Sequence, residues 1–132
     1  MVGYSGTPLP RKLGARAEAR ALLLGAPGAV RAELRAAGLR PGRPAGELDF
    51  AMIFALRPEV LTAGLARVER RLAADGLVWL CWPKKSSGVR SELGEADTRR
   101  IGLTAGLVDV KVCAVTEIWS GLKFVRRAKD RD

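Results

Sequence analysis

Short, unbroken apolar runs alternate along the chain with segments whose apolar residues recur at helical spacing. Three of the runs, at residues 21–24 of a segment 20–24 that begins with Arg20, at 50–56 and at 77–82, have the length of strands rather than helices. An unbroken apolar run of that length is typical of a parallel strand that is covered on both faces. The pattern therefore predicts three buried parallel strands.

Helices are predicted between these strands. Residues 27–37 place apolar side chains at helical spacing, and Gly38 can end this helix in the left-handed conformation. A second helix is predicted over residues 58–76, with a proline and an acidic residue in its first turn. A weaker third helix covers residues 92–104, where two glycines lower helix stability. The core stripe of the second helix is Leu61, Leu65, Val68 and Leu72.

The last third of the chain has the period of a strand. Over residues 107–115 apolar side chains recur at every second position. Ser120-Gly121 predicts a turn, and residues 122–126 the antiparallel partner strand. The order β-α-β-α-β-α-β-β predicts an α/β fold: a Rossmann-like three-layer sandwich, whose mostly parallel sheet ends in an antiparallel C-terminal hairpin.

The two ends of the chain are expected to lie outside this domain, which takes residues 20–127. Residues 1–19 are predicted to be an extended N-terminal segment, because Pro8 and Pro10 disfavour helix before them. Residues 128–132 form a basic tail that is expected to be frayed and solvated. Between the first two strands, residues 39–48 predict a loop rich in proline, glycine and arginine.

A parallel sheet that is finished by an antiparallel hairpin resembles the class I methyltransferases. The chain is too short for the seven strands of that fold, and its second and third strand–helix units are expected to be missing. The resemblance implies S-adenosylmethionine as cofactor, a glycine-rich turn after the first strand, and an acid after the second strand for the ribose. Here the glycine-rich turn is degraded and the acid is expected to be deleted.

Four stretches carry a second resemblance: GYSGTPLPRKLG at 3–14, LLLGAPG at 22–28, WPKKSSG at 82–88 and GLVDVKVCAVTEIWSGLKFVRR at 106–127. Together they resemble an uncharacterised family of bacterial domains, over nearly the whole chain. That family implies the fold but no activity.

The absence of histidine excludes several chemistries. Without histidine and with two cysteines, zinc sites of the usual Cys/His type have no ligands. Catalytic triads and dyads that use imidazole as a base are excluded as well. Cys81 and Cys113 lie in apolar runs, which favours two reduced core thiols over a disulfide. No metal site and no catalytic residue is predicted.

The net charge of +9 is concentrated at the two ends of the chain. Residues 1–46 carry eight Lys and Arg against two acids, residues 47–122 carry ten of each, and residues 123–132 carry five against two. Basic ends can contact phosphate backbones. However, no nucleic-acid-binding motif accompanies them, which favours a solvated surface.

Ligands of open α/β sheets bind beyond the carboxyl ends of the parallel strands, and two loops there are candidates. Gly25-Ala26-Pro27-Gly28 resembles a phosphate-cradling turn, although a plain tight turn is favoured. The loop Trp82 to Gly88 offers two ammonium groups, two hydroxyls and an indole face for a phosphate or carboxylate. An alternative for that loop is a solvated basic segment with Trp82 in the core. The ligand residues proposed from it are Trp82, Lys84, Lys85, Ser86 and Ser87.

Further candidates are weaker. Arg57 can point toward the same cleft, and Arg11 and Lys12 can join it if the N-terminal segment crosses the top of the sheet. The simpler expectation is that this segment covers a sheet edge. Trp119 in the predicted hairpin turn is either a partner surface or, more often for such a residue, folded onto the domain.

Three functions are compatible with these features. The preferred one is a non-catalytic domain that binds an anionic small molecule or a protein partner near Lys84 and Lys85. The alternative is a reduced methyltransferase-like enzyme using S-adenosylmethionine, and the third is weak nucleic-acid binding through the basic ends. No apolar run reaches the roughly 20 residues of a membrane span, and no signal peptide is recognised, so a cytoplasmic location is expected. An edge strand in the hairpin also allows an oligomer.

Overall fold

The computed structural model describes residues 6–41 and 46–131. The strands are β1 (Arg20–Leu24), β2 (Arg40–Pro41), β3 (Leu48–Phe54), β4 (Leu72–Pro83), β5 (Leu107–Ala114) and β6 (Trp119–Arg126). The helices are α1 (Leu9–Leu13), α2 (Gly28–Ala36), α3 (Pro58–Glu69) and α4 (Glu95–Thr104). Short 3₁₀ turns occupy Lys85–Ser87 and Ala128–Asp130. No helix of the described residues is long and apolar enough to cross a bilayer.

One six-stranded sheet organises the molecule, in the order β2-β1-β3-β4-β6-β5. The first four strands in this order are parallel, and β6 is antiparallel to both of its neighbours. This arrangement confirms the predicted Rossmann-like fold with an antiparallel C-terminal pair.

Helices cover both faces of the sheet. Alternate side chains of β3 point to opposite faces, so Phe50 and Met52 join the core under α1 and α2, whereas Ala51 and Ile53 join the core under α3 and α4. Both groups are at most 2% exposed. The unbroken apolar run of β3 is therefore explained by burial on two sides.

The N-terminal segment departs from the prediction of an extended chain, since residues 9–13 form α1. Pro10 lies in its first turn, where a missing N–H costs nothing, and Gly14 ends it with φ 73°. Leu9 and Leu13 are fully buried, and the indole N–H of Trp79 donates to the Leu13 carbonyl at 2.8 Å. The segment covers a face of the sheet and belongs to its core.

Two boundaries around β4 also differ from the prediction. α3 ends at Glu69, and Leu72 belongs to β4 although it fits the helical stripe of α3. The guanidinium of Arg126 donates to the carbonyls of Glu69 and Leu72, which fixes this corner. Within the predicted loop 39–48, two residues form β2, and residues 42–45 lie outside the described part of the chain.

The turn of the C-terminal hairpin lies before Trp119 rather than at Ser120-Gly121. The Thr116 hydroxyl accepts the N–H groups of Ile118 and Trp119, both at 3.0 Å, and closes the turn. Gly121 is a strand residue that pairs with both neighbouring strands, and a Cβ there would lie 3.0 Å from the ring of Trp79. The absence of a side chain at Gly121 therefore allows β6 to pack closely against Trp79.

Cys81 and Cys113 both lie opposite Gly121, on the two strands that flank β6. Strands two positions apart are separated by about 10 Å, beyond the reach of a disulfide. Both thiols are free, as predicted, and burial raises the pKa of Cys81 well above its usual value.

The C-terminal tail forms a turn up to Arg131 instead of fraying. Arg127 pairs with Asp130 at 3.2 Å, and the Arg131 guanidinium donates to the Arg126 carbonyl at 2.8 Å. These contacts are exposed and contribute little to stability.

Candidate functional site

The chain reverses its winding direction between β1 and β3. The helix after β1 packs on one face of the sheet and the helix after β3 on the other, although the two strands are neighbours. The helices consequently diverge at the carboxyl ends of these strands and leave a crevice. In open α/β sheets this is where ligands bind.

Two adjoining cavities form this crevice, which we call the switch-point crevice. One has a volume of about 430 Å³ and is lined by β1, β3 and the outer side of α3. The other, of about 480 Å³, extends toward the hairpin. Gly25, Phe54 and Val60 line both of them. The first adds Glu59, Ala63 and Arg67, and the second adds Leu56, Arg57, Val89 and Trp119.

The wall of the crevice is apolar and open to solvent. Leu56, Val60 and Val89 are 42%, 45% and 38% exposed, although large apolar side chains gain from burial. A cluster of exposed apolar residues around a cavity is typical of a ligand or partner surface. Phe54 and Trp119 complete the wall as an edge-to-face pair.

The first turn is shaped by its glycines in two different ways. Gly25 has φ 71°, and a Cβ there would lie 2.7 Å from the Phe54 carbonyl oxygen, so packing alone requires glycine. At Gly28, the first residue of α2, a Cβ would meet no atom of the described residues within 4 Å. The N-terminus of α2 is thus open to an approaching group. Pro27 precedes it and contributes no N–H.

The charged groups of the crevice are Arg57 and Glu59 at the start of α3 and Arg67 in its last turn. Arg57 and Glu59 form an ion pair at 3.1 Å, with side chains 58% and 63% exposed. Such an exposed pair is weak and can be exchanged for a ligand at little cost. Arg57 was predicted from the sequence, whereas Glu59, Val60 and Ala63 were not. The sequence offered one signal for these three residues: Val60 is apolar but lies outside the buried stripe of its helix.

The loop after β4 is held by its own hydrogen bonds. The Lys84 ammonium donates to the Thr116 carbonyl at 2.9 Å, and the Ser87 hydroxyl donates to the Lys84 carbonyl at 2.6 Å. Lys85 and Ser86 are exposed, whereas Trp82 is 6% exposed and belongs to the core under α3 and α4. None of these five residues lines the switch-point crevice. Their predicted role in an anion site stays a prediction.

Arg11 and Lys12 also lie away from the crevice. Lys12 accepts a hydrogen bond from Lys111 of β5 through its carbonyl, and Leu13 contacts Trp79 in the middle of β4. Trp119, in contrast, is half-buried against Phe54 rather than projecting from a turn. The structure therefore brings Gly25, Arg57 and Trp119 together in the lining of the crevice, whereas Gly28 is not part of that lining.

Glu59 is an acidic residue in the lining of the crevice, whereas Asp49 of β3 is not. Asp49 lies at the opposite end of the sheet, where it accepts hydrogen bonds from the backbone and side chain of Arg20 at 2.9 and 3.1 Å. This contact lowers the pKa of Asp49. Over residues 6–41 and 46–131, no group of three His, Cys, Asp or Glu side chains is placed to hold a metal ion.

The fold is similar to those of solved methyltransferase structures. A precorrin-6y C5,15-methyltransferase from Geobacter metallireducens matches with a TM-score of 0.63 at 11% identity, over 96% of this chain and 94% of that one. A TehB-like SAM-dependent methyltransferase from Corynebacterium glutamicum matches at 0.56 and 13%, over 95% and 90%. At these identities the likeness shows the fold alone.

Other matched structures are longer than this chain. A magnesium protoporphyrin IX methyltransferase from Synechocystis PCC 6803, solved with bound SAH, matches with a TM-score of 0.49 at 19% identity over 72% of this chain, which spans 55% of it. No protein-family model and no curated protein sequence matches the chain. The resemblance to an uncharacterised bacterial family accordingly stays a prediction.

Proposed function

We propose that this domain binds S-adenosylmethionine, or its product S-adenosylhomocysteine, in the switch-point crevice, as a small methyltransferase-like enzyme. The observation that carries the proposal is the position of the crevice: it lies at the carboxyl ends of β1 and β3, where the helices diverge, in a sheet closed by an antiparallel strand pair. One structure of the same fold is that of a SAM-dependent methyltransferase, which supports this choice of ligand.

The size and the wall of the crevice fit a nucleoside. Each of its two cavities falls in the range of about 300–1,000 Å³ that is usual for small-molecule sites. Val60 and Ala63 on one side and the Phe54–Trp119 pair on the other offer apolar surface to an adenine ring. Binding would cover apolar groups that the protein otherwise leaves in water.

The polar groups in and near the crevice match those of S-adenosylmethionine in part. The open space at Gly28 lets an anionic group reach the N-terminus of α2, although Pro27 removes one donor. Glu59 is the acid that the crevice offers to a hydroxyl or ammonium group, and Arg57 the cation for a carboxylate. The class I methyltransferases place the ribose acid after their second strand, whereas Glu59 follows β3. The ligand would thus be held by a different carboxylate.

When bound, S-adenosylmethionine supplies an electrophilic methyl group on a sulfonium. The role of this chain would be to orient the ligand and to keep water from it, through Val60, Phe54 and Trp119. No histidine is present to act as a base. We infer that the acceptor brings a nucleophile that needs no proton abstraction by imidazole.

The experiment is isothermal titration of the pure protein with S-adenosylhomocysteine and with S-adenosylmethionine. Ala63→Trp fills the crevice and is expected to weaken binding at least tenfold. Ala66→Trp is the matched control, since this exposed alanine of α3 lies outside the crevice, and it should bind like the parent protein. Absence of saturable binding, or equal losses in both variants, would reject the proposal.

The same titration distinguishes the predicted anion site in the loop after β4. Lys84→Ala/Lys85→Ala is expected to leave S-adenosylhomocysteine binding within twofold of the parent, because neither lysine lines the crevice. If inorganic phosphate binds the parent and this variant loses it, the loop is a separate anion site. If S-adenosylhomocysteine binding itself is lost in the folded variant, the crevice assignment is wrong.

A further inference from the structure

The two cavities of the switch-point crevice differ in their charged residues. The first, of about 430 Å³, is lined by an acid and a cation, Glu59 and Arg67. Among the described residues that line the second, of about 480 Å³, Arg57 carries the one charged side chain. The second cavity therefore suits a ligand with a single negative charge.

The rest of the second cavity is apolar. Leu56, Val60 and Val89 are exposed there, so each leaves apolar surface in water. The rings of Phe54 and Trp119 complete the lining. None of the lining residues that the structure describes carries a hydroxyl or a carboxamide. A small molecule that fills this space is accordingly apolar over most of its surface.

Arg57 lies at the boundary between the two cavities. It immediately precedes α3, and its guanidinium pairs with Glu59, which lines the first cavity and not the second. A carboxylate that enters the second cavity can replace Glu59 as the partner of Arg57, because an exposed ion pair of this kind is weak. A guanidinium binds a carboxylate through two parallel hydrogen bonds, which fixes its orientation.

The composition of the chain restricts the methyl acceptor that such a ligand can present. The chain has no histidine, and no acid is among the described lining residues of the second cavity. No described side chain there can thus take a proton from an alcohol, a phenol or an ammonium group. A carboxyl group has an ordinary pKa of about 4 and is already ionised at neutral pH. Its oxygen is a nucleophile that needs no base.

We propose that the second cavity binds an apolar monocarboxylic acid, whose carboxylate is held by Arg57 and is the methyl acceptor. This inference rests on the proposed binding of S-adenosylmethionine in the same crevice. One carboxylate oxygen forms a bond to the methyl carbon while the bond from that carbon to the sulfonium breaks, and the electron pair of the broken bond stays on sulfur. The products are a methyl ester and S-adenosylhomocysteine. The two opposite charges cancel, and no proton is moved.

Binding of the acid is tested first, without S-adenosylmethionine, by isothermal titration with 4-phenylbutanoate at pH 7. We expect a dissociation constant below about 1 mM, and at least tenfold weaker binding of acetate and of the neutral 4-phenylbutanamide. Arg57→Gln should weaken binding of the acid at least tenfold. Arg90→Gln is the matched control, because it removes the charge of an exposed arginine outside both cavities, and it should change binding less than twofold.

A second pair of variants separates the two cavities. Val89 lines the second cavity and not the first, so Val89→Trp should weaken binding of 4-phenylbutanoate at least tenfold and leave that of S-adenosylhomocysteine within twofold of the parent. Val112→Trp, at an exposed valine of β5, is its control and should leave both unchanged. With S-adenosylmethionine present, the parent should convert the acid to methyl 4-phenylbutanoate, detected by mass spectrometry, and Arg57→Gln should form it at least tenfold more slowly.

The results distinguish this inference from the proposed function. If S-adenosylhomocysteine binds but 4-phenylbutanoate does not, or binds Arg57→Gln as tightly as the parent, the acceptor assignment is wrong while the proposed ligand of the crevice stands. If the acid binds through Arg57 and no methyl ester forms, the carboxylate is not the acceptor and the inference is overturned as well. If S-adenosylhomocysteine does not bind, the proposed function fails and the acceptor assignment fails with it.

Discussion

The rings of Trp119 and Phe54 form an edge-to-face pair, with centroids 5.1 Å apart and ring planes at 83°. Phe54 ends β3 and Trp119 begins β6, so the contact reaches across β4. It connects the C-terminal hairpin to the switch-point crevice, which both residues line in part. The edge-to-face arrangement places the positive edge of one ring against the negative face of the other.

Trp119→Ala is expected to lower the free energy of unfolding by about 1–3 kcal/mol, because a half-buried aromatic contact is lost and the crevice widens. It should also weaken S-adenosylhomocysteine binding. Trp119→Phe keeps a ring in place and should recover most of the stability. Urea unfolding of the three proteins measures this order, and equal stability of Trp119→Ala and the parent would contradict it.

The two glycines of the first turn should respond differently to alanine. Gly25→Ala is expected to cost more than about 1 kcal/mol, since φ 71° and the nearby Phe54 carbonyl both disfavour a Cβ. Gly28→Ala should be neutral or stabilising by up to about 1 kcal/mol, because it lies in a helix with open space around it.

Thermal unfolding compares the two variants directly, and Gly28→Ala is the control for Gly25→Ala. The larger Gly28→Leu should keep the stability of the parent while it reduces S-adenosylhomocysteine affinity, because the side chain enters the space left for the ligand. A Gly28→Leu protein that binds like the parent would show that the ligand does not approach α2.

The long apolar patterns of this sequence predict the fold well, because burial on two faces determines them. β1 and β3 follow from the apolar runs, whereas α1 and the two-residue β2 were not predicted. The sequence did not predict the boundary at Leu72, since one leucine fits a helical stripe and a strand equally well. In the structure Leu72 pairs with Leu48 of β3, and its carbonyl accepts a hydrogen bond from the distant Arg126. Likewise Gly121 has the composition of a turn but serves packing against Trp79.

The site was less accessible to prediction than the fold. Position in a strand-end loop selected Gly25 and Arg57, which line the crevice, and cationic character also selected Lys84, whose ammonium is directed to the hairpin turn. The residues that line the crevice on α3 are apolar and small. Their position in the wall of a cavity depends on how α3 packs on the sheet, which only the folded chain determines.

Acid should destabilise the protein partly through Asp49. The hydrogen bond and charge of Arg20 lower its pKa in the folded state, so the contact stabilises fully above the unfolded pKa of about 3.9 and is lost as the pH falls through the folded value. Compared with Asp49→Asn, the parent should be more stable at pH 6, and the difference should shrink below about pH 4.

Urea unfolding between pH 6 and pH 2.5 checks this dependence. Asp109, whose pKa is lowered by Arg99, is present in both proteins and cancels in the comparison. A stability difference that stays constant down to pH 2.5 would assign the effect to packing rather than to the charge of Asp49.

Gly102 of α4 lies against the ring of Phe124 in β6, and a Cβ there would be 2.2 Å from a ring carbon. Alanine is a better helix former than glycine by about 1 kcal/mol, so helix propensity alone predicts a gain. We expect the overpacking to outweigh this gain, since Phe124 is fully buried. Gly102→Ala is therefore expected to lower the free energy of unfolding by about 1–3 kcal/mol.

The double variant Gly102→Ala/Phe124→Leu tests the cause, because a smaller side chain at position 124 makes room for the methyl group. In a double-mutant cycle measured by urea unfolding, the pair should be more stable than the sum of the single effects, and strict additivity would mean that the two residues do not contact each other.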